Sequence, residues 1–399
     1  MTPEPPSAYD PARDSAAMLR RLGVLTLMVV LPLSAAAYRI GPVVAYIVGT
    51  VLLVIAAGLD GSPRAVRETS SRFARAVPSV AAGVAIGWAV LSFAWTPAPP
   101  PLRQGAGLVL VFALGLAALA ALPARMRSAN LYPITVGTGA LALVSIGLAA
   151  GFWGDEAEER VRQFERALAI LVLFSWPAIA WLRSRRRDLE ALVLALGTAV
   201  AAALGPSPAP IVAFAIGALA HLLAQLSPKS LRAIGLLLAA VIVLSPAFVA
   251  VAAMTRALPV DLAAQVAAWH GVLLGDPARL LTGHGVNSLS LRPDLAGMPG
   301  APLPALWYEL GVVGVVAIAV VIAGTASRLS VWLGPLAPGA IAAIVTVFVL
   351  TADGIGGGAL WWPAALVTGA LLFVAAARGQ FRTRRPRAAA EPAMEKVSR

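Results

Sequence analysis

The chain has 399 residues, 59% of them hydrophobic and 13% charged, where a soluble domain carries about a quarter charged residues. That balance excludes an ordinary soluble fold and turns the question into how many times the chain crosses a membrane. The absence of cysteine excludes disulfides, thiol catalysis and Cys-ligated zinc, and three histidines argue against a His-rich metal site.

Residues 1–21 are polar, proline-rich and end in Arg20-Arg21, the composition of a disordered tail. The apolar run that follows is too long for a signal-peptide core and has no A-x-A exit, so it reads as uncleaved. Apolar runs then recur near 22–38, 41–59, 77–95, 105–123, 132–152, 166–182, 188–205, 208–226, 231–253, 304–324, 332–351 and 358–377. At about 1.5 Å per residue each can cross a hydrocarbon core of roughly 30 Å. The expected fold is an all-α integral membrane protein of about twelve transmembrane helices. Nine lie in 22–253 and three in 304–377, a large loop (254–303) separates the ninth from the tenth, and a basic tail (378–399) follows.

Basic residues fix the orientation. Both tails and alternate loops, carrying Arg64, Arg67, Arg72 and Arg75, then Arg125 and Arg127, Arg183 to Arg187, Lys229, Arg232 and Arg328, hold 23 of the 31 Lys and Arg. That side is assigned to the cytoplasm, with both termini on it. The net charge of +12 is then explained by topology and anionic headgroups, and no nucleic-acid partner is needed. Eight basic residues fall on the other side, among ten of the 19 acids: Arg39, Arg103, Arg160, Arg162, Arg166, Arg256, Arg279 and Arg292. The insertion rule disfavours them there, so function is sought among them first.

Two loops on that side stand out. Trp153 to Arg166 reads WGDEAEERVRQFER, in which Glu158 or Glu159 can pair with Arg162 at helical spacing and Arg166 stands at the mouth of the sixth span. Arg166 can equally be a headgroup anchor. Pro177 can kink that span. In the large loop, Leu262, Val266, Trp269 and Leu273 mark one face of a short interfacial helix over Asp261–Leu274. Gly283-His284-Gly285 is a turn whose glycines allow close backbone approach, and the proline-rich run to Pro304 is expected to be non-helical. His284 and His270 can each be a structural residue of the loop or a catalytic one. His221, near the cytoplasmic end of the eighth span, suits a helix-to-helix hydrogen bond. Asp353 lies in a glycine-rich turn, and Trp361-Trp362 resemble an interfacial aromatic belt. No Walker, G-x-S-x-G or H-E-x-x-H motif occurs.

Together these features resemble the O-antigen ligase and O-antigen polymerase superfamily. The resemblance rests on the span pattern and large loop, the segment Asp276-Pro277-Ala278-Arg279-Leu280-Leu281-Thr282-Gly283-His284-Gly285, and the re-entry at Leu306-Trp307-Tyr308-Glu309-Leu310-Gly311. It rests also on Ser92-Phe93-Ala94-Trp95-Thr96-Pro97-Ala98-Pro99, similar to the family's S-x-x-W-x-x-x-P element, and on Phe164-Glu165-Arg166-Ala167, similar to its outward-arginine element. The resemblance implies transfer of a glycan from a polyprenyl-diphosphate-linked donor to lipid A-core or to another glycan acceptor, at the periplasmic face of the inner membrane. It implies no cofactor and no metal. Arg166, with Arg292, Arg279 and Arg162 behind it, is the implied diphosphate ligand, because guanidinium forks suit phosphate oxygens. His284, His270 and Glu309 compete as the base. The chain departs from the family at Gln265, where an arginine is usual, and over Met298–Pro304, where no histidine stands. A secondary transporter or a non-catalytic membrane component are the alternative readings, although the two halves show no repeat.

Overall fold

The computed structural model describes residues 11–60, 77–98, 102–123, 125–151, 158–254, 260–295, 301–356 and 359–381. The expectations placed on Arg64 to Arg75, Pro99, Trp153 to Ala157, Arg256, Met298 to Gly300 and the tail beyond Phe381 lie outside the described residues, as do the side chains of Arg103, Glu158 and Leu262.

Helices cover most of the described chain: α1 Pro11–Leu25 and α2 Leu31–Ala37, joined through a π-helical turn at Thr26–Val30, then α3 Gly41–Leu59, α4 Val77–Leu91, α5 Leu102–Ala121, α6 Tyr132–Gly151, α7 Glu158–Ser184 and α8 Asp188–Ala203. The remainder are α9 Ala209–Leu226, α10 Pro228–Val243, α11 Ser245–Met254, α12 Val260–Leu274, the single turn α13 Arg279–Thr282, α14 Pro302–Leu333, α15 Ala337–Ala352 and α16 Trp361–Ala377. Among the described residues seven helical stretches are long and apolar enough to cross a membrane, and eight if the bent pair α10–α11 is one span; α14 and α15 together form one of these stretches. The helical character expected of the chain therefore holds, with seven or eight stretches of spanning length and apolarity among the described residues where twelve spans were expected.

Several boundaries differ from the sequence expectation. The first helix starts at Pro11, inside the supposed tail, because α1 packs along α3: Ala16 is fully buried and Arg20 pairs with Asp60. Helix α14, over the tenth apolar run, begins at Pro302, because proline at a first helical position gives up no hydrogen bond. It then runs through Arg328, where a loop was expected. Pro177 lies inside one helix. A parallel pair of three-residue strands, β1 Arg125–Arg127 and β2 Gly379–Phe381, ties the segment after α16 to the turn after α5. Arg378 reinforces the tie by donating to the carbonyls of Leu122 and Leu119 at the C-terminal end of α5.

The bundle is organised around α7, whose apolar window is 89% buried against 11–44% for the other candidate spans. Trp176 on α7 donates to Thr346 Oγ1 of α15 at 2.8 Å, and Thr346 donates to Ala213 O of α9, so one hydroxyl joins three helices. Toward the far end of α7, Arg183 donates to His221 Nε2 of α9 at 2.9 Å, the interhelical bond expected for that histidine. At about 1.5 Å per residue the 27-residue α7 is long enough to hold Arg166 and Arg183 toward opposite ends of the bundle.

Candidate functional site

Helix α14 is broken at Gly311, whose φ of 61° and ψ of −167° lie in a region essentially reserved for glycine. A break costs a helix the bonds to the carbonyls just before it, and here loop and helix donors replace them. Tyr308 O accepts from the amide of His284 at 2.7 Å, Glu309 O from the amide of Gly285 at 3.0 Å, and Leu310 O from the indole of Trp88 at 2.8 Å. Gly283 (φ 73°) lies against Glu309 O and Gly311 N, and Gly285 (φ 94°) against Thr96 and Ser92. Ser92 Oγ accepts from the amide of Val286 at 3.1 Å, while Thr96 Oγ1 donates to Val286 O at 3.0 Å. The Ser92–Pro97 segment, the Gly-His-Gly turn and the kink in α14 thus form one interlocked unit from three distant parts of the sequence.

The rest of the loop is fastened by a small core of its own. Helix α12 buries Val266, Trp269 and Leu273, the expected face, against Leu295, Ala301 and Tyr308. Trp269 donates to Leu295 O at 3.2 Å and meets Tyr308 edge-on, and Tyr308 stacks on His284 with ring centroids 4.2 Å apart.

Within this unit His284 Nδ1 lies 3.2 Å from Tyr308 O. A carbonyl only accepts, so Nδ1 carries the hydrogen and the neutral ring keeps its lone pair on Nε2. Burial holds this imidazole below the ordinary histidine value. The bond to Tyr308 and the charge of Asp276 oppose that shift, and Arg279 and Arg292 add to it. An unfolded chain therefore binds a proton on this residue that the folded chain resists. Its contribution to stability is full above about pH 6.5 and is lost as pH falls through that value toward the lower folded pKa. A melting series from pH 8 to 5 should show this loss in the native protein and a smaller one in His284→Gln; equal losses would contradict the assignment.

The other loop candidates separate by their partners. Glu309 accepts from the amide of Leu289 at 3.2 Å through Oε1, so its carboxylate clamps the turn at the left-handed Asn287. Arg292 is engaged by Asp294 at 2.8 and 3.0 Å, which raises the arginine pKa and lowers that of the aspartate. Arg279 is exposed at the start of α13, and His270 is half-buried on α12 beside Trp269.

A second unit forms where α7 begins. The α2–α3 turn, the α8–α9 turn and the glycine-rich α15–α16 turn converge there around a cavity of about 520 Å³. Its walls include Arg39, Arg162, Arg166, Glu159, Glu165 and Asp353. Arg162 keeps the expected partner, Glu159, at 3.7 Å, and both are exposed. Arg166 is 5% exposed, yet its Nε and Nη2 have no hydrogen-bond partner among the described residues. A buried charge whose donors are not all satisfied is costly, and Glu159 is the nearby carboxylate that offsets part of that cost. Trp361 lines the same cavity and Trp362 is buried under Gly356 (φ 85°), so the tandem tryptophans are interior residues, contrary to the aromatic-belt expectation.

The structure thus brings Arg166 and Arg162 together in the cavity, and His284 and Glu309 together in the loop unit. The described lining of the cavity includes none of His284, His270, Glu309, Arg279 and Arg292. Sequence reasoning left out Arg39, Glu165 and Asp353 as site residues. Arg39 carried a usable signal, being one of the eight basic residues on the acid-rich side. Among the described residues no group of three or more His, Cys, Asp or Glu could hold a metal ion. No protein-family model, curated protein or solved structure matches the chain.

Proposed function

We propose that this chain transfers a glycan from a polyprenyl-diphosphate-linked donor to a hydroxyl acceptor at the periplasmic face of the bacterial inner membrane, as an O-antigen ligase or polymerase does. On this reading the chain crosses twelve times and both termini are cytoplasmic. The observation that carries it is Arg166, a buried cation lining a polar cavity with two of its guanidinium nitrogens free of hydrogen bonds among the described residues. A second cavity, of about 770 Å³ and almost wholly apolar, lies among α14, α15 and α16 and reaches Thr351 and Ala352; the polar cavity begins at the next residue, Asp353. A charged pocket and a separate apolar one, lined by the consecutive residues Asp353 and Ala352, suit an amphiphile with an anionic head and a long chain.

In such a reaction the acceptor oxygen attacks the sugar carbon bonded to the donor diphosphate. The bond to the diphosphate breaks, and negative charge grows on the leaving group. Arg166 neutralises that charge in a site poor in water, where the interaction is strongest. Arg162 and Arg39 add positive potential at the wall.

A transporter is the second reading. Two helices are broken, α10–α11 by 59° and α14 at Gly311, and broken helices line transporter sites. The surface-glycan profile of cells lacking the protein separates the readings. Loss of long chains from lipid A-core with lipid-linked polymer accumulating marks a ligase, and collapse to a single repeat unit marks a polymerase. An unchanged profile rejects both in favour of the transporter or a non-catalytic membrane component.

A further inference from the structure

We propose that Asp353 is the general base that takes the proton from the acceptor hydroxyl; the inference rests on the diphosphate reading of the Arg166 cavity. Of the sequence candidates for this role, Glu309 is bound to a backbone amide of its own loop, and neither His284 nor His270 is among the residues lining the cavity. The acceptor must meet the donor where the diphosphate is held, so the base belongs on the same walls. Among the described residues three carboxylates stand there: Glu159, Glu165 and Asp353. Glu159 is turned to Arg162. Glu165 is anchored on the rigid first turns of α7, directly before Arg166. Asp353 ends α15 and opens a turn in which Gly354 and Gly356 adopt φ of 86° and 85°. It forms no salt bridge among the described residues, and it lines the polar cavity one residue after Ala352, which lines the apolar one.

Its surroundings suit the role. Burial raises the Asp353 carboxyl above its ordinary value, the direction that strengthens it as a base. The groups facing it across the cavity are Glu159, Glu165, Arg39, Arg162 and Arg166. The step balances without a further reactant. The hydroxyl proton passes to the Asp353 carboxylate as the acceptor oxygen bonds to the sugar carbon. The sugar–oxygen bond to the diphosphate breaks, and its electron pair leaves with the diphosphate beside Arg166. Asp353 then loses its proton to water or to the departing diphosphate.

The test pairs two readouts on the full chain: long surface glycan in cells, and binding of farnesyl diphosphate to the purified protein in detergent. Asp353→Asn should bind the probe within about threefold of the native protein, or more tightly, since one negative charge is gone. Transfer should fall by about a hundredfold or more, read as loss of long glycan chains, and Asp353→Glu should restore part of them. A normal glycan profile in Asp353→Asn overturns the proposal. So does joint loss of probe binding and transfer, which would make Asp353 a structural or ligand-binding residue. If the native protein fails to bind the probe and Arg166→Ala keeps normal glycan, the diphosphate reading itself has failed, whatever Asp353 does.

Discussion

Gly311→Ala is expected to destabilise the protein by about 3 kcal/mol or more, one of the largest effects of any single methyl group in the chain. The backbone conformation alone costs a non-glycine residue about 1–3 kcal/mol. The added Cβ would also stand 2.6 Å from both the amide nitrogen of Gly283 and the carbonyl oxygen of Leu281. Neither is the end of a flexible side chain, so the turn must move. If it moves, the bonds from His284 and Gly285 to the carbonyls of Tyr308 and Glu309 weaken together, which makes the loss cooperative. Gly283→Ala should behave alike, because its Cβ would come within 2.2 Å of Glu309 O. Gly271→Ala is the control: on α12 nothing lies within 4 Å of the new atom, and alanine in a helix should add about 0.5–1 kcal/mol. Melting temperatures in one detergent give all three. A Gly311→Ala protein melting with the native one would mean that the kink is not held as described.

Arg166→Met should separate stability from function. The guanidinium is buried with two nitrogens unpartnered, and methionine of similar length removes that desolvation cost. Replacing buried charges by apolar groups has stabilised other proteins by about 1–4 kcal/mol, so this variant should melt at or above the native temperature while losing transfer. Arg162→Met, at an exposed weak ion pair worth about 0–1 kcal/mol, should leave melting unchanged. A marked drop in melting temperature for Arg166→Met would instead show the guanidinium to be a structural partner, and would remove the argument for a ligand.

The apolar helices were legible because apolar length is written locally in a sequence. The break at Gly311 was not, since leucine, valine and glycine surround it as they would in any membrane helix. It is stabilised by donors from Trp88, His284 and Gly285, the first more than two hundred residues away. The face of α12 was readable from helical spacing, and the Glu159–Arg162 pair from its three-residue separation. The cavity was half readable: Arg166 and Arg162 drew attention through their place on the acid-rich side. Asp353 did not, because its meaning depends on three turns meeting at the start of α7, which no local pattern encodes. Trp361 and Trp362 misled for the same reason. A tryptophan pair at a helix start reads as a headgroup anchor until Gly356 is seen to lie on the ring. The likeness to O-antigen ligases pointed to the Gly-His-Gly turn, and the geometry there gives Glu309 to the backbone of the loop.

The central claim is that the cavity around Arg166 takes a diphosphate. The most direct measurement is equilibrium binding of farnesyl diphosphate to the purified native chain and to Arg166→Met, at low and at moderate salt. The account predicts saturable, salt-sensitive binding to the native protein, weakened at least tenfold in Arg166→Met although that variant remains folded. Equal affinity in the two proteins, or no saturable binding to the native one, would contradict it.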